Sequence, residues 1–249
     1  MCSSNRVTFG KNDRSVVEER VEQCRYDDSS VRIGVVGHRM DQLSSEDMAA
    51  LEDRISEAMD QLHQVFLNAN PENRSLAPGV VTSLAEGTDR IVARKAVELG
   101  LLEIVVLPFS RSRFERDFLS AESRREFHVL LDAATSIVEP PLDSQLADDA
   151  YESASSIIIE CTDLLIAVWD GQPGRGPGGT AHSIGRALQR GVPVVWISSQ
   201  SPYAIEVISP ATSIAVPFVE QVLAQFEAMH GGAHSRVPME PGSSSTLVS

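Results

Sequence analysis

The chain has 249 residues, of which 42% are hydrophobic and 22% are charged, so it can bury a core and is not disordered as a whole. Lys and Arg total 21 against 35 Asp and Glu, which gives a formal net charge of −14. A surface this acidic repels phosphate backbones at long range, which disfavours general nucleic-acid binding. The three cysteines lie far apart, which excludes a disulfide framework and the usual spacing of a zinc site.

The two ends of the chain differ in composition from its middle. Residues 1–30 carry many charges and few apolar side chains, which predicts a flexible arm, and residues 231–249 are rich in Gly, Ser and Pro, which predicts a disordered tail. The arm has no apolar segment typical of a signal peptide, and no apolar run reaches the length of a membrane span. We therefore expect a cytoplasmic protein with one domain over residues 31–230.

Short apolar runs alternate with helical patterns along this domain. Strands are predicted, in chain order, at residues 31–36, 80–81, 103–107, 136–138, 164–169 and 193–198. Helices are predicted between and after them, at residues 48–66, 88–99, 113–134, 148–161, 180–190 and 216–229. Apolar strands separated by helices imply a mostly parallel sheet covered on both faces, that is, a single Rossmann-like, doubly wound α/β domain. Ligands of such folds lie outside the C-terminal ends of the strands, where the strand order switches.

The first predicted strand runs into the sequence GVVGHR, residues 34–39. Gly34 and Gly37 would let the backbone turn tightly and approach a ligand, while His38 and Arg39 would stand beside a phosphate or carboxylate. The segment lacks the third glycine of the dinucleotide-binding fingerprint. The alternative is a tight turn with a solvated His38 and Arg39.

The second predicted strand opens into SLAEGTDR, residues 83–90. Small residues and Gly87 at a helix start would present N–H groups to an anion. Glu86 could contact ribose hydroxyls or attack an anomeric carbon. Asp89 could contact the ligand, although capping the helix is the favoured interpretation, and Arg90 would then be a surface charge.

Five glycines occur in the nine residues 171–179, between a predicted buried strand and a predicted helix. This placement predicts a phosphate-binding loop, with the amides of Gly178 and Gly179 and the hydroxyl of Thr180 on the anion and Thr180 as the helix cap. His182, in the first turn, could face the ligand. No Lys-Ser/Thr follows the glycines, so this is not a Walker A loop. The alternative is a surface loop with no ligand.

Other polar residues give weaker signals. His128 and the charges of residues 111–125 are typical of a solvated helix face. Because Phe109 and Phe114 lie close by, the alternative interpretation of this segment is a lid over the pocket. No His, Asp and Glu show metal-ligand spacing, so neither a metal nor a cofactor is expected.

Together and in this order, the three segments resemble the SLOG superfamily, which groups the DNA-processing protein DprA, the Lonely Guy phosphoribohydrolases and nucleotide-sensing domains of bacterial conflict systems. The resemblance covers about residues 32–198: residues 83–90 are similar to the DprA branch, and residues 177–180 look like a shortened Lonely Guy PGGxGT loop. It implies a Rossmann-like domain that binds a nucleotide or its derivative across Gly37, Gly87 and the Gly178-Gly179 loop. In Lonely Guy enzymes a glutamate that assists N-glycosidic cleavage follows this loop. Here Thr180 is followed by Ala-His-Ser, which weighs against hydrolase activity.

Three functions follow from these observations. The leading hypothesis is a sensor-type module that binds a small nucleotide-like ligand, with Arg39 and the glycine-loop amides on the phosphate and Glu86 on the ribose. The alternative is an N-glycosidase or deoxyribosyltransferase, with Glu86 as nucleophile or electrostatic stabiliser and Asp170 or His182 as proton donor. The third is single-stranded DNA binding, which the charge of −14 and the 5% of aromatic residues disfavour. Family members often pair through helix faces, so a homodimer is compatible with the resemblance.

Overall fold

The structure is a computed structural model. It describes residues 21, 31–38, 48–69, 78–140, 147–173, 179–210 and 217–230. The predicted arm, apart from Val21, and the predicted tail lie outside the described residues, as do Arg39 and Gly178.

The described strands form one seven-stranded sheet in the order β4-β3-β2-β1-β5-β6-β7. The strands are β1 Arg32–Gly37, β2 Gly79–Thr82, β3 Leu102–Val106, β4 Ser136–Val138, β5 Leu164–Trp169, β6 Val194–Ser198 and β7 Ile205–Ile208. All neighbours pair in parallel except β7, which is antiparallel to β6. The chain runs from β1 outward to β4 and returns beside β1 at β5, so the strand order switches between β1 and β5.

Helices cover both faces of this sheet. They are α1 Met48–Ala69, α2 Thr88–Leu99, α3 Arg111–Phe114 with the 3-10 helix Glu115–Asp117, α4 Ala121–Ala133, α5 Ala147–Glu160, α6 Thr180–Gln189 and α7 Pro217–Met229. Alternating strand residues divide the core: Ile33 and Val35 pack in the cluster that includes α1, α2, α4 and α7, whereas Val36 packs in the cluster that includes α6. The predicted Rossmann-like architecture, doubly wound with a mostly parallel sheet, is confirmed.

The predicted elements differ from the observed ones in two places. The single helical region expected at residues 113–134 is broken at residues 118–120, because Phe118 is extended and Ser120 caps α4 by accepting a hydrogen bond from the Ser123 N–H at 2.9 Å. Strand β7 was not predicted. It is a short edge strand in which Ile205 and Val207 are buried, so it lacks the continuous apolar run of a central strand.

No helix in the described part of the chain is long and apolar enough to cross a membrane.

Candidate functional site

A cavity of about 120 Å³ lies at the C-terminal end of β1. Four segments form its wall: the end of β1, the turn that follows β2 with the start of α2, residues 151–158 of α5 and the first turn of α6. The sheet is covered from both sides here and the strand order switches, which is where folds of this architecture hold ligands. Of the residues singled out in the sequence, Gly37, Asp89 and Thr180 lie in the cavity wall.

The end of β1 is in close contact with the start of α2. A Cβ atom on Gly37 would lie 2.4 Å from Thr88 Oγ1 and 2.5 Å from Thr88 Cβ. The Thr88 N–H and hydroxyl both donate to the carbonyl of His38, at 3.2 and 3.3 Å. Gly37 therefore lets the β2–α2 connection approach β1, and the expected tight turn at Gly37 is replaced by extended strand.

His38 links the ends of β1 and β5 across the switch point. The Asp170 N–H donates to His38 Nε2 at 3.0 Å, and Asp170 Oδ1 lies 3.6 Å from the same nitrogen. The side chain of His38 therefore connects β1 to the residue that follows β5. The His38 side chain is only 10% exposed, so the alternative of a solvated His38 is wrong. Asp170 Oδ1 also accepts from the Gln172 N–H at 3.0 Å.

Asp89 stabilises the β2–α2 turn through buried hydrogen bonds. Its side chain is buried, and Oδ2 accepts hydrogen bonds from the Ser83 hydroxyl at 2.6 Å and the Ser83 N–H at 3.2 Å. The Thr82 hydroxyl and the Ala85 N–H add two more. The N-cap of α2 is Gly87, with no side-chain capping bond, so the prediction that Asp89 caps this helix is wrong.

The backbone of the β2–α2 turn is strained. Leu84 is fully buried at a φ of 59°, and Gly87 stands at a φ of 101°. A non-glycine residue in the left-handed region is costly and persists only where its surroundings hold it, and such residues concentrate at functional sites. The strained turn carries Ser83 and Ala85, both in the cavity wall.

The buried carboxyl of Asp89 gives the stability of the fold a specific pH dependence. Burial raises the pKa of Asp89 above its ordinary value of 3.8, against the opposing effect of its hydrogen bonds. The folded protein then holds this proton more tightly than the unfolded chain. The contribution of Asp89 to the free energy of unfolding therefore falls as the pH rises above 3.8, and it becomes constant beyond the raised pKa.

We expect Asp89→Asn to lose this decline, because the amide does not titrate. Urea unfolding of both proteins between about pH 4 and about pH 8 measures the difference in their free energies of unfolding. The wild-type value should fall relative to that of the variant as the pH rises. Parallel profiles would contradict the assignment.

Arg90 and Glu86 point towards α4. Arg90 is 2% exposed, its Nε donates to the Leu84 carbonyl at 3.1 Å and its Nη1 to the Ser123 carbonyl at 2.9 Å. Its guanidinium carbon lies 4.2 Å from the ring centroid of Phe118. The interpretation of Arg90 as a surface charge is therefore wrong. Glu86 accepts a hydrogen bond from the Ser123 hydroxyl and is not among the residues of the cavity wall.

The first turn of α6 contributes to the cavity through Thr180 and Ser183. Gly179 stands at the N-cap with no side-chain capping bond, so the prediction that Thr180 caps the helix is wrong. The buried Ser183 donates through its hydroxyl to the Gly179 carbonyl at 3.2 Å and lies 2.8 Å from the Ser155 hydroxyl of α5. His182 is exposed and does not line the cavity.

Sequence reasoning missed the contribution of α5, which supplies Tyr151 and Ser155 to the cavity wall. The Tyr151 hydroxyl donates to Asp117, and its ring packs edge-on against Phe109 at 5.4 Å. Phe109 and Phe114 are buried in the core, so the idea of a lid built on them is wrong. The serine-rich stretch of α5, residues 153–156, was the available signal, because serines are unusual on a helix face that packs against a sheet.

Within the described residues, no group of three or more His, Cys, Asp and Glu is arranged to hold a metal ion.

No protein-family model and no curated protein matches this chain. Solved structures of DprA do. The protein from Streptococcus pneumoniae matches at 14% identity and a TM-score of 0.45, over 83% of this chain and 58% of that one. The protein from Helicobacter pylori, whose structure describes its single-stranded DNA binding mode, matches at 14% identity and a TM-score of 0.45, over 80% of this chain and 74% of that one. The chain thus spans 58% of the length of the Streptococcus pneumoniae DprA.

Proposed function

We propose that this chain is a binding module for a small nucleotide-like molecule, held in the cavity at the switch point of the sheet. The observation that carries the proposal is the position of this cavity between the end of β1, the strained β2–α2 turn and the first turn of α6. Three loops that the sequence marks as ligand-binding begin or end at this edge. Concave pockets with a few convergent polar groups are where small ligands bind.

Among the described residues, helix amides rather than cationic side chains would hold a phosphate here. Asp89 is the one charged residue of the cavity wall among the described residues, and no Lys or Arg belongs to that wall. The first N–H groups of a helix have no partner within the helix, so the start of α6 at Thr180 offers donors and a favourable dipole, which together are sufficient to bind an anion.

A polynucleotide fits this site poorly. Binding of single strands needs a cationic groove with several stacking aromatics, whereas the described cavity wall has Tyr151 as its only aromatic residue and the chain carries a net charge of −14. Single-stranded DNA is nevertheless the ligand named for the Helicobacter pylori DprA, so an oligonucleotide belongs in the test.

An N-glycosidase has less support than a binding module. Its proposed nucleophile, Glu86, is bonded to Ser123, and one of its two candidate proton donors, His182, is exposed on α6. Neither residue lines the cavity.

A thermal-shift screen followed by titration calorimetry tests the proposal. A nucleotide at about 100 times its dissociation constant should stabilise the protein by about 2.7 kcal/mol, which raises the melting temperature measurably. Gly179→Val should fold, because the φ of −76° at Gly179 suits any residue, and it should lose at least about tenfold in affinity because its side chain crowds the anion site.

Gln189→Val, at the exposed opposite end of α6, is the matched control and should bind as the wild type does. The proposal fails if no nucleotide shifts the melting temperature, if Gly179→Val binds with unchanged affinity, or if only an oligonucleotide binds.

A further inference from the structure

We infer that the cavity takes the ribose of its ligand and selects ribonucleotides over 2′-deoxyribonucleotides. The inference rests on the proposed function and names the chemical group that the cavity recognises. It follows from the direction of the hydrogen bonds that its serine hydroxyls already make.

The hydroxyl of Ser155 is left as an acceptor. A serine hydroxyl has one hydrogen to donate, and that of Ser183 is donated to the Gly179 carbonyl at 3.2 Å. With the Ser183 hydrogen on the Gly179 carbonyl, we assign Ser155 as the donor in the 2.8 Å contact between the two serines. With its hydrogen donated to Ser183, Ser155 Oγ can offer a ligand in the cavity only its lone pairs.

The hydroxyl of Ser83, in the turn that follows β2, is also left as an acceptor. It donates to Asp89 Oδ2 at 2.6 Å, and its own backbone N–H donates to the same oxygen at 3.2 Å. Because the Asp89 carboxylate is buried and accepts several hydrogen bonds, this hydroxyl stays turned towards it. Ser83 Oγ likewise offers a ligand lone pairs.

Two serine hydroxyls that can only accept hydrogen bonds complement a ligand that donates them. A phosphate oxygen with no proton to donate would be repelled by the oxygens of Ser83, Ser155 and Asp89, so the phosphate belongs on the side of the cavity formed by Thr180, at the start of α6. The neighbouring 2′- and 3′-hydroxyls of a ribose supply two donors for the two serine oxygens. A 2′-deoxyribose supplies one, which leaves a desolvated serine oxygen without a partner.

Calorimetric titration of the full chain with AMP, GMP, CMP and UMP and with their 2′-deoxy counterparts tests the inference. For the base that binds most tightly, the deoxynucleotide should bind at least about tenfold more weakly, because a site that hydrogen-bonds a hydroxyl discriminates strongly against the analogue that lacks it. With the 2′-hydroxyl on Ser155 and the 3′-hydroxyl on Ser83, Ser155→Ala should weaken binding of the ribonucleotide, leave that of the deoxynucleotide nearly unchanged and so reduce the ratio.

Ser156→Ala is the matched control. Ser156 lies on the same helix but outside the cavity wall, and its hydroxyl donates to the Glu152 carbonyl and accepts from Arg186. This variant should keep the wild-type ratio of affinities.

Equal affinities of the wild type for ribo- and deoxynucleotides would overturn the inference while the proposed function stands, and this comparison needs no variant to fold. An unchanged ratio in Ser155→Ala would also overturn it. Absence of binding by every nucleotide would overturn both the inference and the proposed function.

Discussion

Gly34→Ala is expected to lower the free energy of unfolding by about 3 kcal/mol, and Thr162→Ala in the same chain is expected to recover most of this loss. A Cβ on Gly34 would lie 2.2 Å from Thr162 Oγ1, and β1 cannot move away because it pairs with β2 and β5 at the centre of the sheet. Removing the threonine branches leaves its Cβ at 3.1 Å, a close contact that a small shift relieves. Thr162→Ala alone should cost about 1 kcal/mol, because its hydroxyl donates to the Ile158 carbonyl at 2.6 Å.

Gly37→Ala provides the contrast that makes this prediction specific. There the Thr88 Cβ itself would lie 2.5 Å from the new methyl group, so Thr88→Ala should give little recovery. Urea unfolding of the four single and two double variants measures all of these free energies. If the Gly34→Ala, Thr162→Ala double variant is no more stable than Gly34→Ala, the proposed clash is contradicted.

Arg90→Ala is expected to destabilise the fold by about 3 kcal/mol and to disorder the β2–α2 turn. The change leaves the buried Leu84 carbonyl without the donor at 3.1 Å and removes the guanidinium from the face of Phe118. Arg90→Lys should recover little, because an ammonium group cannot reproduce the fork that reaches Leu84 and Ser123 together.

Arg116→Ala is the matched control, since Arg116 is exposed on the 3-10 helix, and it should change the free energy of unfolding by less than about 0.5 kcal/mol. Chemical unfolding monitored by tryptophan fluorescence compares the three variants with the wild type. Equal stability of Arg90→Ala and Arg116→Ala would contradict the structural role of Arg90.

The elements with strong local signals were predictable. Helix α2 begins at Thr88 and ends at Leu99 as predicted, because its apolar periodicity stops at Gly100, which adopts the left-handed conformation at a φ of 70°. Strand β5 also matches its predicted bounds, because a strand buried on both faces appears in the sequence as a continuous apolar run. The break before α4 escaped prediction because Phe118 is buried under Arg90, a contact between distant parts of the chain.

The location of the candidate site was more predictable than its chemistry. Parallel strands bring the segments after β1, β2 and β5 to one edge, so a search of those segments reaches the cavity. The roles within them depend on tertiary contacts: the pattern alone did not tell that Asp89 faces Ser83 instead of the helix amides. Ser155 lies in the middle of α5, away from any strand end, so no rule about loops could have selected it.

A crystal structure of the chain with its tightest-binding nucleotide tests the central claim most directly. We predict a ligand in the cavity at the end of β1, with its ribose hydroxyls on Ser83 and Ser155 and its phosphate beside Thr180. A ligand bound elsewhere on the surface, or a phosphate against Ser155 inside the cavity, would contradict the assignment.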